Sequence, residues 1–203
     1  MKKDIKLMIL FLCLICLPVV NVSCKKPAKN VDEVIDYIKS IESYESNVEY
    51  TIKNNKKTQV KNYKQYFQKD QGYRLELGDK RAYIYKKDEI LVQDIANNAK
   101  YSLDKDFDEV YKFTFIGEYI RQLYTNEDIK YFCKNLEGKT YMVVELVITG
   151  ANYNLKTAFM YINLTTNLPE KIVIFDKGGE DRITAIYKDL KINIDLDEEL
   201  FKQ

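Results

Sequence analysis

The sequence contains no histidine. Histidine is the commonest general base near neutral pH, a usual ligand of zinc and the base of serine and cysteine triads. Its absence argues against most hydrolytic and zinc-dependent chemistry within this chain. A pair of carboxylates could still act as in a glycosidase, but the 31 acidic residues are spread over polar strand faces and turns. We therefore predict no catalytic residue, no metal site and no cofactor.

Tryptophan is also absent, and neither sign of charge is in excess. The 32 basic and 31 acidic residues are interspersed and give a formal net charge of +1. This balance gives no electrostatic reason to expect a nucleic-acid partner. The 17 tyrosines, together with many lysines, asparagines and isoleucines, indicate AT-rich coding rather than a functional device.

Residues 1–23 are typical of a bacterial export signal. A basic start is followed by a nearly continuous apolar run from Leu7 to Val20. As a helix this run would span about 21 Å, short of the roughly 30 Å of a bilayer core, so an uncleaved anchor is the less favoured alternative. Ser23 and Cys24 end a segment that is similar to a lipobox, in which cleavage precedes a cysteine that receives a diacylglycerol. Asn21 departs from that pattern, which favours leucine, and a signal peptide that ends near a cysteine by chance is the alternative.

Lipidation of Cys24 would attach the mature protein permanently to a membrane. Each buried methylene of its acyl chains contributes about 0.8 kcal/mol. Residues 24–29 would then be a lipidated tether, with Pro27 disfavouring a helix. Because two other cysteines leave with the signal segment, Cys133 has no partner for an internal disulfide. We expect it to be a buried strand residue.

Residues 30–203 are predicted to form one domain that begins with a helix. Asn30 and Glu33 resemble a capping box, and apolar residues then recur at helical spacing until about Ser43. Residues 44–103 alternate between apolar and polar side chains, with short turn signals between the runs. Connections this short favour an antiparallel sheet.

A second helix is predicted within the strands, from about Thr114 to Tyr124. Its apolar residues fall on one face and are rich in aromatics. A helix inserted here is suited to cover a concave sheet, either as an ordinary core helix or as a lid over a cavity. The candidate lid or cavity-lining residues on the two helices are Ile35, Ile38, Phe115, Ile116, Tyr119 and Ile120.

Strands are predicted to resume from residue 128 to the end. Residues 140–149 are apolar on both faces, which favours a central strand. Gly178 and Gly179 are typical of a hairpin turn, and we expect Leu200 and Phe201 to cover the edge of the sheet.

Two features of the second half resemble the LolA/LolB-like family of lipoprotein-sorting and lipid-binding proteins. One is the closing segment, with Asn193 in a strand, an acidic turn and then Leu200 and Phe201. The other is a strand that ends in Leu168 and Pro169 before two alternating strands. The resemblance implies an α+β fold: a curved antiparallel sheet, or incomplete LolA-like β-barrel, whose concave face is covered by the N-terminal and inserted helices over an apolar cavity.

Within that family, a short lipidated chain of AT-rich coding resembles the clostridial germination lipoproteins. This resemblance implies a noncatalytic spore protein that binds the zinc amidase CwlD, an N-acetylmuramoyl-L-alanine amidase, and is needed for muramic-δ-lactam formation in cortex peptidoglycan. A lipid or lipoprotein carrier that holds lipid in its cavity is the alternative function. A homodimer formed by strand exchange has similar support from the exposed strand edges.

Overall fold

The computed structural model describes residues 31–108, 110–126, 129–148 and 155–203. The predicted signal segment and tether, including Ser23 and Cys24, lie outside the described residues, as do residues 149–154 between two of the strands. Among the described residues, no helix has the length and apolar character needed to cross a bilayer.

One antiparallel sheet of eleven strands runs through the described part of the chain, which confirms the predicted α+β class. Its spatial order is β6-β5-β4-β3-β2-β1-β11-β10-β9-β8-β7, so the two edge strands do not pair and the sheet does not close. The strands are β1 (Ser43–Lys53), β2 (Thr58–Gln68), β3 (Gly72–Glu76), β4 (Arg81–Tyr85), β5 (Glu89–Asp94), β6 (Ala99–Asp104), β7 (Lys130–Leu136), β8 (Lys139–Val147), β9 (Thr157–Asn163), β10 (Pro169–Phe175) and β11 (Asp181–Ile192).

Short hairpin connections explain why neighbours in sequence are neighbours in the sheet. The predicted turn at Gly178 and Gly179 is confirmed, and Gly179 has a φ of +83°. Glycine adopts that left-handed conformation without steric penalty. Among the described strands, the one long-range pairing is that of β1 with β11, and it joins the two halves of the meander into one sheet.

Two α-helices and a short 3-10 helix lie in the same apolar core as the inner face of the sheet. They are α1 (Val31–Lys39), α2 (Ile116–Thr125) and the 3-10 turn Lys112–Thr114. The helix α1 is shorter than predicted because the chain is already bound to the end of β11. The Glu42 N–H donates to Asn193 Oδ1 at 2.8 Å, and the Ser43 hydroxyl donates to the Ile194 carbonyl at 2.6 Å.

The predicted strand over residues 140–149 is β8, which pairs with a strand on each side and is buried on both faces near its centre, although it is the last strand but one in the sheet. Its inner residues, such as Met142 and Val144, belong to the main core. Its outer residues Tyr141 and Val143 pack in a separate cluster with Tyr161 on the opposite face. A strand with apolar residues on both faces has the sequence pattern of a central strand, whatever its exact position in the sheet.

The prediction that Leu200 and Phe201 cover the edge of the sheet was wrong. Phe201 is buried against Tyr66 and Ile84, on the outer face of the first half of the sheet and away from the edge. The edge strand β6 is reached instead by Gln203, whose Nε2 donates to the Tyr101 carbonyl at 2.8 Å.

Cys133 lies on a strand, as predicted, but it is exposed and not buried. It belongs to β7, which is an edge of the sheet, and within the described part of the chain six of the seven β7 side chains are exposed. Alternation alone places a residue on a face, and it does not show whether another element covers that face.

Candidate functional site

The segment that leads into α2 is held by a buried polar network. Gln65 lies on the inner face of β2 and is fully buried. Its Nε2 donates to the hydroxyls of Tyr50 and Thr114, at 2.5 and 3.1 Å, and its Oε1 accepts from the Tyr44 hydroxyl at 3.0 Å. The Tyr44 hydroxyl in turn accepts from the Ile116 N–H at the start of α2, at 3.3 Å. The network therefore fixes the start of the inserted helix against two central strands.

A buried carboxylate shapes the loop just before this network. Asp108 Oδ2 accepts from the Tyr85 hydroxyl at 2.5 Å, and its Oδ1 accepts from the N–H groups of Val110 and Tyr111. Burial raises the pKa of Asp108, although these hydrogen bonds favour its charged form. The role of this carboxylate is to position the loop.

A cleft of about 1040 Å³ opens beside α2. Its apolar lining comes from β2, β3, β5 and α2, and includes Phe67, Tyr73, Ile90 and Ile120. The turns between β2 and β3 and between β4 and β5 supply much of the rim. Seven basic side chains and five acidic ones line the cleft. The basic ones are Lys39, Lys69, Lys86, Lys87, Lys105, Lys112 and Arg121.

Two features set the chemistry of this cleft. Lys86 donates to the Gln71 carbonyl at 2.7 Å, and partial burial lowers its pKa. Glu118, on α2, is buried and bound to Arg121 at 2.9 Å. An apolar lining beneath a rim of mixed charge, with two more basic than acidic side chains, is suited to an amphiphile with an anionic head.

The helix α2 can lie close to the sheet because Gly117 has no side chain. A Cβ at this position would lie 2.5 Å from Tyr73 Cε1 and 2.8 Å from Phe67 Cε2. The two rings stack with their centroids 5.4 Å apart. The close approach of the helix backbone to these rings forms one wall of the cleft.

The predicted lid or cavity-lining residues are brought together, but most of them are packed in the core. Ile38, Phe115, Ile116 and Tyr119 are fully buried, and Ile35 is partly buried against the same cluster. Ile120 is the member of the set that lines the cleft. Whether this helix moves as a lid stays a prediction.

Sequence reasoning missed Gly117, Glu118 and Arg121 as cleft residues. A glycine inside an otherwise helical pattern was the available signal, since glycine there costs stability unless close packing requires it. Glu118 and Arg121 gave no signal, because glutamate and arginine at this spacing are also common on a solvent-exposed helix face.

The outer face of β7–β10 carries a second candidate surface, which we call the outer patch. Phe159 contacts Phe132 and Phe175, with ring centroids 5.8 and 5.1 Å apart. Val147 of β8 lies on the same face. It is opposite Thr157 of β9, which in turn is opposite Phe175 of β10. Phe132 is 41% exposed and Val147 is 56% exposed. Clustered apolar exposure of this kind marks interaction surfaces more often than isolated exposed residues do.

The buried carboxylates each have partners of their own. Asp94 is bound to Arg81 at 2.7 Å, whereas Asp108 and Glu118 hold the partners described above. Among the described residues, no group of three or more cysteine, aspartate or glutamate side chains could hold a metal ion. Each buried acid in the described ranges thus has a structural contact.

Solved structures resemble this fold. An uncharacterized conserved protein from Thermus thermophilus matches with a TM-score of 0.54 and 12% identity, over 86% of this chain and 94% of the other. A LolA superfamily protein from Nitrosomonas europaea matches with a TM-score of 0.44 and 13% identity, over 85% and 97%. The structure of the CwlD amidase from Clostridioides difficile in complex with the GerS lipoprotein gives a match with a TM-score of 0.46 and 25% identity, over 81% and 96%.

No curated protein gives a significant sequence match. A family model does match, and it covers residues 2–201 under the description "Sporulation protein YdcC-like". With nearly its whole length matched, the chain belongs to the YdcC-like family of sporulation proteins.

Proposed function

We propose that this chain is a noncatalytic, lipid-anchored protein outside the cytoplasm that binds and activates a cortex-modifying N-acetylmuramoyl-L-alanine amidase of the CwlD type during sporulation. The main support for the proposal is membership of a sporulation family. The amidase is proposed as the partner because the sequence resembles germination lipoproteins, and that amidase would act in muramic-δ-lactam formation in cortex peptidoglycan. The structural contacts of the buried acids support a role without chemistry of its own.

The membrane attachment is part of the same proposal. Cleavage between Ser23 and Cys24 would leave Cys24 as the lipidated N terminus, and residues 24–29 would tether one domain of residues 30–203. Replacing Cys24 with alanine should release the protein from membranes or leave it unprocessed. If the variant still carries the same lipid mass, attachment through Cys24 is refuted.

We assign the docking of the amidase to the outer patch. Protein interfaces gain most of their affinity from a few apolar and aromatic anchors in a region from which water is excluded. Phe132, Phe159 and Phe175 form such a row, and Val147 extends it with an accessible side chain. The patch lies on the side of the sheet opposite α1 and α2, so a bound enzyme would not disturb the main core.

A matched pair of valine substitutions tests this surface. Val147→Glu should weaken binding of the purified amidase about tenfold or more, because the carboxylate would be desolvated in an apolar interface. Val60→Glu is the control, since Val60 is 57% exposed on β2 in the other half of the sheet. Isothermal titration with both variants and the unaltered chain measures the effect. Equal affinity of all three would refute this docking surface.

The cleft favours a second candidate function, the binding of a lipid by a stationary acceptor. Its apolar lining and lysine-rich rim match an anionic amphiphile. Lys86→Glu combined with Lys87→Glu should then weaken binding of a fluorescent fatty acid, whereas Lys61→Glu, at an exposed position of β2, should not. No binding of the fatty acid by the unaltered chain would refute this candidate.

A further inference from the structure

The two ends of the outer patch differ in chemistry. Residues directly opposite one another on neighbouring antiparallel strands share a face, so the strand register divides this face into rows. The row at one end contains Val147 and Phe175. Two rows lie toward the turn between β7 and β8, and each contains a lysine, Lys171 in the row of Phe132 and Lys134 in the next row. One end of the patch is therefore apolar, and the other end carries positive charge.

Other charges on this face have an acidic neighbour within the chain. Lys139 Nζ donates to both carboxylate oxygens of Glu170, at 3.0 and 3.1 Å. Glu170 also accepts from the Tyr141 hydroxyl at 2.6 Å, which fixes the carboxylate beside that lysine. Lys130 lies directly opposite Glu145 in the strand register. These four charged side chains contribute no net charge to the face.

Lys134 and Lys171 are the uncompensated charges. Neither lysine forms an ion pair within the described ranges of the chain. Lys134 is exposed, and Lys171 Nζ lies 4.8 Å from the centre of the Tyr161 ring. An ammonium group over an aromatic ring is weakly attracted to it, which favours a defined position for this charge. Two positive charges therefore border the apolar surface at the end toward the β7–β8 turn.

The separation of these two lysines indicates what they can bind. They lie three strands apart and one row apart along the strands. Strands are spaced by about 4.8 Å and successive residues on one face by about 6.8 Å, so the two Cα atoms are roughly 15 Å apart. That distance suits two separate carboxylates on one partner surface better than one small anion. Two charges are also few for a nucleic acid, whose affinity depends on many phosphate contacts.

We propose that the amidase docks on the outer patch in one orientation, with an acidic edge of its docking surface on Lys134 and Lys171 and an apolar part on Phe175 and Val147. This proposal rests on the proposed function, which assigns the amidase to this face. Complementary charges at the rim of an interface mainly raise the association rate and fix the orientation, whereas apolar contacts mainly slow dissociation. The two ends of the patch should therefore control different rate constants.

Surface plasmon resonance with the purified amidase and the full chain in detergent separates the two roles. Lys134→Glu combined with Lys171→Glu should lower the association rate constant about tenfold or more at about 0.1 M salt. At about 1 M salt the Debye length is only about 3 Å, and the same change should lower it by less than about threefold. Val147→Glu should instead raise the dissociation rate constant at both salt concentrations.

A matched control removes the effect of net charge. Lys56→Glu combined with Lys61→Glu changes the charge equally, at two exposed positions in the other half of the sheet. This variant should associate as fast as the unaltered chain. Lys134→Gln combined with Lys171→Gln should give an intermediate rate, and melting temperatures check that each variant is folded.

A zero-length cross-linker identifies the acidic groups of the amidase. A carbodiimide joins a lysine amine to a contacting carboxylate as an amide, and the carbodiimide takes up the released water to become a urea. Mass spectrometry of the cross-linked complex should find Lys134 or Lys171 joined to an aspartate or glutamate of the amidase. Lys56 and Lys61 should not be joined to it.

Equal association rate constants for the unaltered chain and the reversed variant at low salt would overturn the proposed orientation, as would a loss that does not depend on salt. If Val147→Glu weakens binding and the lysine reversal does not, the docking surface stands and the orientation alone is wrong. If the amidase does not bind the unaltered chain, both proposals fail. Loss of binding to anionic phospholipid vesicles on lysine reversal, with amidase binding unchanged, would make this end a membrane contact and would also overturn the proposal.

Discussion

Replacing Gly117 with alanine sets two effects of opposite sign against each other. Alanine is favoured over glycine by up to about 1 kcal/mol within a helix, and Gly117 lies in the first turn of α2. The new methyl group, however, would lie 2.5 Å from the Tyr73 ring and 2.8 Å from the Phe67 ring. Carbon atoms in contact are normally about 3.5 to 4 Å apart, so the helix or the rings must move.

The rings have little room to move. Tyr73 is in contact with Phe67 on one side and with Phe115 on the other, at centroid distances of 5.4 and 4.8 Å. Overpacking of this kind costs about 1 to 3 kcal/mol, more than the gain in helix propensity. We expect a net loss of about 1 to 2 kcal/mol, and a melting temperature lowered by roughly 2 to 8 °C.

Thermal and urea unfolding of four chains would measure this balance. They are the unaltered chain, Gly117→Ala, Tyr73→Leu and the double variant. In the Tyr73→Leu background the clash is reduced, so adding Gly117→Ala should cost less or even stabilise. If Gly117→Ala raises the stability of the otherwise unaltered chain by about 1 kcal/mol, the close packing of α2 on these rings is refuted.

Three further outcomes follow from the packing and charges. Ile38→Asp places an unpaired charge in the core and should cost about 3 kcal/mol or more in urea unfolding, with a smaller loss for partly exposed Ile35→Asp; equal small losses would mean that α1 does not cover the sheet. Arg81 holds the pKa of Asp94 below its ordinary value, so the pair stabilises the fold above the unfolded-state pKa of about 4, and this contribution disappears as the pH falls through the lower folded-state pKa. The unfolding free energies of Asp94→Asn and the unaltered chain should therefore differ at pH 7 and draw together as the pH falls below about 4, and a constant difference would contradict the assignment. Reductant should not change the melting temperature, because Cys133 is a free thiol in the described part of the chain; a fall of several degrees would reveal a disulfide.

Local periodicity was enough to predict most strands and both helices. Alternation along β1 and β2 and the helical spacing of Phe115, Ile116 and Tyr119 report which face is apolar, and short connections report antiparallel neighbours. The pairing of β1 with β11 has no signature in the local sequence, because the paired residues are more than 100 positions apart in the chain. The edges of the sheet therefore could not be located, and this is why Cys133 was predicted to be buried.

The candidate surfaces were harder to predict than the fold. The cleft depends on how closely α2 approaches Tyr73, and the sequence carried only the glycine at position 117 as a sign of that contact. The outer patch depends on which strands lie side by side, since Phe132, Phe159 and Phe175 belong to three different strands. Both surfaces arise from tertiary packing, which residue spacing within one strand does not record.

Affinity purification of the processed protein from sporulating cells of its host, with mass spectrometry of the proteins and lipids that accompany it, tests the central claim most directly. We expect a zinc N-acetylmuramoyl-L-alanine amidase at stoichiometric yield with the unaltered chain and with Val60→Glu, and its loss with Val147→Glu. Recovery of lipid without an amidase would contradict the claim and favour the lipid acceptor.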